Sequence, residues 1–191
     1  TYVGVVARLA RLRFRVPYVV MAHGNEFIRF TQTPVLRRVL RKNYRTAAVV
    51  SAVSSFTRDR LTDLGVDRRR SFLCYNAVDT ARFFPPPPAK LRRVRNELAG
   101  EATFLLVSVS RLDSRKNHLG VIRALSLIRQ DRPDAAAAMR YLICGRGPME
   151  ERLRREVRET GLETAVSFAG YVDQDALPIY YAAADVFVLP S

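Results

Sequence analysis

Four consecutive prolines, Pro85-Pro86-Pro87-Pro88, sit near the middle of this 191-residue chain and follow Phe84. Prolines donate no backbone hydrogen bond and hold the chain extended, so neither one helix nor one sheet can run through them. The chain therefore reads as two stretches on either side of a stiff joint. In each stretch the next question is the period of the apolar residues.

The first stretch alternates apolar strands with helices. Residues 17–22 read as a buried strand ending at His23-Gly24. Pro34 to Tyr44 reads as a basic helix, and 47–53 as a second strand closed by Ser54-Ser55. Ser55 is placed to cap a helix from Phe56 to Leu64, which stops at Gly65. A third short strand, 71–75, runs into the turn-forming residues Asn76-Ala77-Val78-Asp79. The second stretch is more regular. Strands are expected at 104–109, 140–144, 166–169 and 186–189, with helices at 119–128, 149–160 and 176–184. Uninterrupted apolar strands separated by helices imply parallel sheets covered on both faces, an α/β fold. The organisation expected is residues 1–78 as one domain, 79–100 as linker and leading helix, and 101–191 as a second domain.

Composition narrows the class. At 48% apolar and 26% charged residues the chain is globular in type. No apolar run approaches the ~20 residues that cross a bilayer. Cys74 and Cys144 lie in apolar runs and are expected to be buried free thiols. His23 and His118 lack metal-ligand spacing, and no metal site is expected. The net charge of +14 is unevenly spread. Residues 1–78 carry 15 basic and 4 acidic side chains, whereas 101–191 carry 12 of each. An anionic partner is therefore expected for the first stretch. A nucleic-acid-binding module is the remote alternative, since neither a helix-turn-helix pattern nor an aromatic-rich basic motif accompanies the charge.

In open parallel sheets, ligands bind beyond the carboxyl ends of the strands. The segments there are Ser110-Arg111-Leu112-Asp113-Ser114-Arg115-Lys116, Gly145-Arg146-Gly147-Pro148 and Gly170-Tyr171-Val172. Gly145 and Gly147 would leave room for a phosphate or sugar beside the backbone, and Pro148 suits the first position of a helix whose N-terminus attracts anions. Arg111 and Lys116 bring two cations to the same edge, a pairing suited to a diphosphate. The third glycine of a dinucleotide fingerprint is absent, which argues against a nicotinamide cofactor.

In order and spacing these segments resemble the family 4 retaining glycosyltransferases. Asn76-Ala77-Val78-Asp79 with Phe83 and Pro85 is similar to the family's crossing between domains, with Ala77 in place of the usual glycine. Ser110-Arg111-Leu112 with Lys116 is similar to its Gly-Arg-Leu-x-x-x-Lys-Gly, with Ser110 and Asn117 in place of the two glycines. The runs 144–148, 166–172 and 184–191 complete the likeness. The resemblance implies a GT-B fold of two Rossmann-like domains, both incomplete here, and a nucleotide-diphosphate sugar as co-substrate with no other cofactor. It implies that Arg111 and Lys116 hold the donor diphosphate. Gly145 and Gly147 would face the nucleotide, and Gly170, Tyr171 and Val172 would line the base pocket. His23 would reach the donor sugar, with Gly24 keeping its loop close.

The resemblance also implies an opening strand and acceptor loop before Thr1, and two donor-contacting glutamates after Ser191, so a fragment inactive by itself is expected. The acceptor is unknown. A cytoplasmic protein is expected, with peripheral attachment at the inner face of the membrane through the basic first domain as a further expectation. A GT-B-type nucleotide-sugar epimerase is the alternative within the same fold. The Asn-x-Val-Asp crossing and the Arg-Leu-x-x-x-Lys loop favour transfer.

Overall fold

The computed structural model describes residues 2–30 and 32–191. The chain forms two compact units, residues 1–78 and 79–191, and each is described by itself.

The first unit is a three-stranded parallel sheet of β1 (Val19–Ala22), β2 (Val49–Ala52) and β3 (Ser71–Leu73), in the order β1-β2-β3. Its helices are α1 (Tyr2–Phe14), α2 (Asn25–Phe30), α3 (Pro34–Thr46) and α4 (Ser55–Asp63). The strands are shorter than the sequence suggests, because the ladder ends where the parallel partner ends. Helix α3 begins on Pro34, with the Thr33 hydroxyl accepting from the Leu36 amide. The cap of α4 is Ser54 rather than Ser55: its hydroxyl accepts from the Thr57 amide, and Ser55 is the first helical residue. The core gathers Ala22, Leu40, Tyr44, Val50, Leu61 and Val66. Cys74 is exposed rather than buried, since it follows the edge strand β3. Helix α1 is not read from the sequence; its apolar residues Val3, Val6, Leu9 and Leu12 lie largely in solvent, so no buried stripe marks it out.

The second unit is a four-stranded parallel sheet in the order β6-β5-β4-β7, built from β4 (Phe104–Val109), β5 (Met139–Cys144), β6 (Val166–Gly170) and β7 (Val186–Phe187). Helices α5 (Pro88–Ala99), α6 (His118–Asp131), α7 (Pro133–Ala137), α8 (Glu150–Glu159) and α9 (Leu177–Ala183) accompany it. The proline run lies inside this unit, and its last member opens α5. Arg95 of α5 donates to the carbonyls of Ala183 (2.6 Å) and Thr103 (2.9 Å) and to the Asp185 carboxylate (2.8 Å). Asp185 also accepts from the Leu105 amide at 2.7 Å. One ion pair thereby ties α5 to the start of β4 and to β7. Two apolar layers cover the sheet: Leu112, Ile122, Tyr141, Ile143, Leu153 and Val157 on one face, and Leu105, Val107, Leu142, Cys144 and Ala183 on the other.

Candidate functional site

The carboxyl ends of β4, β5 and β6 carry three loops that are bonded to one another. The Ser110 amide donates to the Cys144 carbonyl at 3.0 Å, and the Gly145 amide donates to the Gly170 carbonyl at 2.6 Å. The Leu112 amide donates to the Arg146 carbonyl, and the Leu112 carbonyl accepts from the Met149 amide, both at 3.0 Å. Leu112 is fully buried in the core, so the loop after β4 is anchored directly beyond Arg111, which is itself exposed. Lys116 closes a short 3-10 turn, Ser114–Lys116, capped by the Asp113 carboxylate on the Arg115 amide. Asn117 follows in the left-handed region (φ 50°, ψ 33°), a conformation asparagine tolerates better than most residues.

This packing changes the reading of the two glycines. A Cβ on Gly145 would collide with the Ser110 carbonyl oxygen, and one on Gly147 with the backbone of Leu112. The room beside both is filled by the neighbouring loop, so their first role is to let two backbones touch. Pro148 and Met149 form a turn ahead of α8, so Pro148 is not the first helical residue. The amides of Met149 and Glu150 are already spent on Leu112 and Gly147, and the first turn of α8 carries Glu150 and Glu151. That helix N-terminus is poorly suited to an anion. Gly170 takes φ +66°, Tyr171 is 67% exposed, and Val172 packs against the core. Arg146 is a further exposed cation beside this edge, its guanidinium near Gly170.

Two features here are not singled out from the sequence. The first is an Asp-x-Asp pair, Asp173 and Asp175, in the loop after β6, which corrects the expectation that the chain has no such motif. Asp173 accepts from the Asp175 amide at 2.9 Å, and Asp175 is paired with Arg82 at 2.5 Å. The second is a buried polar chain beneath the Arg111 loop. His118, 2% exposed, lies with Nδ1 3.0 Å from the Tyr141 hydroxyl and Nε2 2.9 Å from the Ser110 hydroxyl. The Tyr141 hydroxyl lies 2.8 Å from that of Ser108, which donates to the Val188 carbonyl. Burial holds the His118 pKa below its ordinary value; Asp113 opposes this and Lys116 adds to it. Its only signal in the sequence is a histidine at the first position of a helix.

In the first unit, His23 is exposed at the end of β1, and Gly24 takes φ +98°. The His23 amide donates to Glu26 Oε1 (3.0 Å), which also accepts from the Tyr44 hydroxyl (2.7 Å). Both His23 and Gly24 line a cleft of about 710 Å³ with Ser54, Thr57, Arg37 and Arg60. These two residues thus belong to one unit, and the seven other candidate residues to the other.

Two parallel-sheet units with helices between their strands define an α/β class of the Rossmann-like type. Comparison with known proteins makes it specific. Residues 92–191 match the family model "Glycosyl transferases group 1", and residues 1–82 match "Glycosyltransferase Family 4". The chain belongs to the group 1 glycosyl transferase family. It is 36% identical over 185 residues to a GDP-mannose-dependent alpha-(1-6)-phosphatidylinositol monomannoside mannosyltransferase of Mycobacterium tuberculosis, covering 97% of this chain and 46% of that protein. It is 31% identical over 156 residues to mannosylfructose-phosphate synthase of Agrobacterium fabrum, covering 78% of this chain and 34% of that protein. The chain thus spans less than half the length of these relatives. Among solved structures it is similar to Anabaena HepE in complex with UDP and glucose (TM-score 0.81, 23% identity, covering 97% of this chain and 49% of that one). The likeness shows a GT-B fold. The epimerase alternative finds no support in these matches.

Proposed function

We propose that the whole protein transfers a sugar, with retention of configuration, from a nucleotide-diphosphate sugar, and that the loops after β4, β5 and β6 hold the donor. The observation that carries this reading is the exposed Arg111, fixed between two backbone-bonded residues at the carboxyl edge of the sheet. As the bond from the anomeric carbon to the diphosphate breaks, negative charge gathers on the leaving phosphate. Arg111 and Lys116 stabilise it, and fixed cations cost no reorganisation at that moment. The GDP-mannose dependence of the mycobacterial relative supports a diphosphate donor. Gly145, Gly147 and Gly170 shape the loops, and Tyr171 and Val172 flank the base. His23, with Gly24 beside it, contacts the transferred sugar, as the resemblance implies.

The test is steady-state transfer by the full-length protein. Arg111→Ala and Lys116→Ala should each lower kcat by about 10²–10³, the cost of one lost transition-state contact. Activity should survive excess chelator, because Asp173 and Asp175 are engaged by their own turn and by Arg82 while the cations supply the positive charge. Unchanged turnover in both variants, or complete loss with chelator, would overturn the assignment.

A further inference from the structure

Ser110 stands where the resembled pattern has glycine, and the structure gives it a partner that a glycine could not have. Four protons serve five contacts here, and the directions of the buried hydrogen bonds follow when the longest contact, from the Ser110 hydroxyl to the Arg111 carbonyl at 3.2 Å, is the one left unmade. The Val188 carbonyl can only accept, so Ser108 spends its one hydroxyl proton there. Ser108 must then accept from Tyr141, and the Tyr141 oxygen is left to accept from His118. Nδ1 of His118 therefore carries the ring proton, and Nε2 presents a lone pair. The Ser110 hydroxyl donates to that lone pair at 2.9 Å. The chain has a single direction, from Ser110 through His118, Tyr141 and Ser108 to Val188. Ser108 and Tyr141 are fully buried and His118 nearly so, so water does not compete for these bonds.

We propose that Ser110 and His118 are positioning residues for the donor site: the hydrogen bond between them, oriented by Tyr141 and Ser108, holds the backbone on which Arg111 is presented to the donor diphosphate. This rests on the donor-site reading of Arg111. Ser110 is bound twice, by its amide to Cys144 and by its hydroxyl to His118. Leu112 is locked on the other side by burial and two backbone bonds. Arg111 is thereby the one exposed residue between two fixed ones, and its guanidinium meets an anion with less backbone freedom to lose. Protonation of His118 reverses the bond. Nε2 then becomes a donor, and the Ser110 proton must turn to the Arg111 carbonyl, 3.2 Å away. The titratable groups around the ring are Asp113 and Lys116 from the loop and Tyr141 from β5, with Cys144 beyond it.

The experiment is calorimetric binding to the full-length protein of GDP-mannose and of UDP-glucose, sugar-linked diphosphates that stay fully ionised, and do not titrate, near neutral pH. Ser110→Ala should bind the preferred donor about three- to tenfold more weakly, the size of one neutral hydrogen bond. His118→Asn, whose amide can still donate to Tyr141 but cannot reach Ser110, should lose as much. The double variant should be no weaker than either single one, since both remove the same bond. His118→Gln, which restores an acceptor for Ser110, should recover affinity. As pH falls through the titration of His118, the bond to Ser110 persists with its direction reversed, so the advantage of wild type over Ser110→Ala should be retained. Wild-type affinity in Ser110→Ala and His118→Asn, or additive losses in the double variant, would overturn the proposal. Ser110 is only half-buried, so if His118→Asn fails to fold, Ser110→Ala and its pH profile decide alone. Arg111→Ala is the control and should bind about a hundredfold more weakly, as expected for a lost charged contact. If it binds like wild type, or wild type binds neither donor, the donor-site reading itself fails and the positioning role falls with it.

Discussion

The His118 ring is 2% exposed and has a hydroxyl partner on each nitrogen, so a proton added to it would have to be accommodated without water. Burial therefore holds its pKa below the ordinary 6.5, with Lys116 working in the same direction and Asp113 against it. The sign for stability follows. Between the lowered folded value and 6.5 the unfolded chain binds more protons than the folded one, so stability rises with pH across that window. The contribution is present above 6.5 and is lost as pH falls through the folded value. Thermal melts at pH 7.5 and 5.5 should show wild type losing more stability on acidification than His118→Gln. Equal losses would show that the imidazole is not held neutral. A sequence offers little to reveal such a residue, because His118, Tyr141 and Ser108 come from three elements and meet only in the folded sheet. Ser54 shows the same limit at smaller scale: either of two adjacent serines can cap α4, and only the backbone angle of Ser54 (φ −156°, ψ 162°) decides which does.

At the scale of elements, the candidate donor edge is one loop docked on another. The segment Ser110–Leu112 lies against Gly145–Gly147, backbone on backbone. Gly147 separates two accounts of these glycines, because its φ is ordinary and any penalty there is steric. Gly147→Ala should destabilise the protein by about 1–3 kcal/mol in urea denaturation, as overpacking does. Unchanged stability with lost donor affinity would restore the view that the space serves the ligand alone. The strand–helix alternation of the second unit was legible to within a residue or two at most strand ends, because buried parallel strands leave unbroken apolar runs such as 104–109 and 140–144. The place of Arg111 in the fold was legible too, since it stands two residues beyond the end of β4. What the glycines touch was not, because a close approach of two loops leaves no periodicity. Helix α7 and the short turn before Lys116 escaped for the same reason, being only a few residues long.

At the scale of the whole molecule, eleven of the fourteen net positive charges fall in residues 1–78, the unit that does not carry the candidate donor loops. Residues 1–78 hold 15 basic and 4 acidic side chains, and no helix among the described residues is long and apolar enough to cross a membrane. In the fold, Arg37, Arg38, Arg41, Lys42 and Arg45 of α3 are all exposed, at spacings of three, four and seven. The apolar side of that helix faces inward: Leu40 is buried in the core at 2% exposure and Val39 is half-buried, so neither is free to meet a bilayer. Attachment would therefore rest on charge, with Leu36 and Val35 at the margin. We propose an anionic membrane surface as the partner to test, each cation near it expected to contribute about 1 kcal/mol within a Debye length. The measurement is co-sedimentation of the full-length protein with vesicles of neutral lipid alone or mixed with phosphatidylserine. Binding should require the anionic lipid and be reversed by high salt. The triple substitution Arg37→Gln, Arg38→Gln, Arg41→Gln should weaken it by about 3 kcal/mol, roughly a hundredfold. Equal binding to neutral vesicles, or a triple variant that binds like wild type, would leave α3 as a solvated basic face.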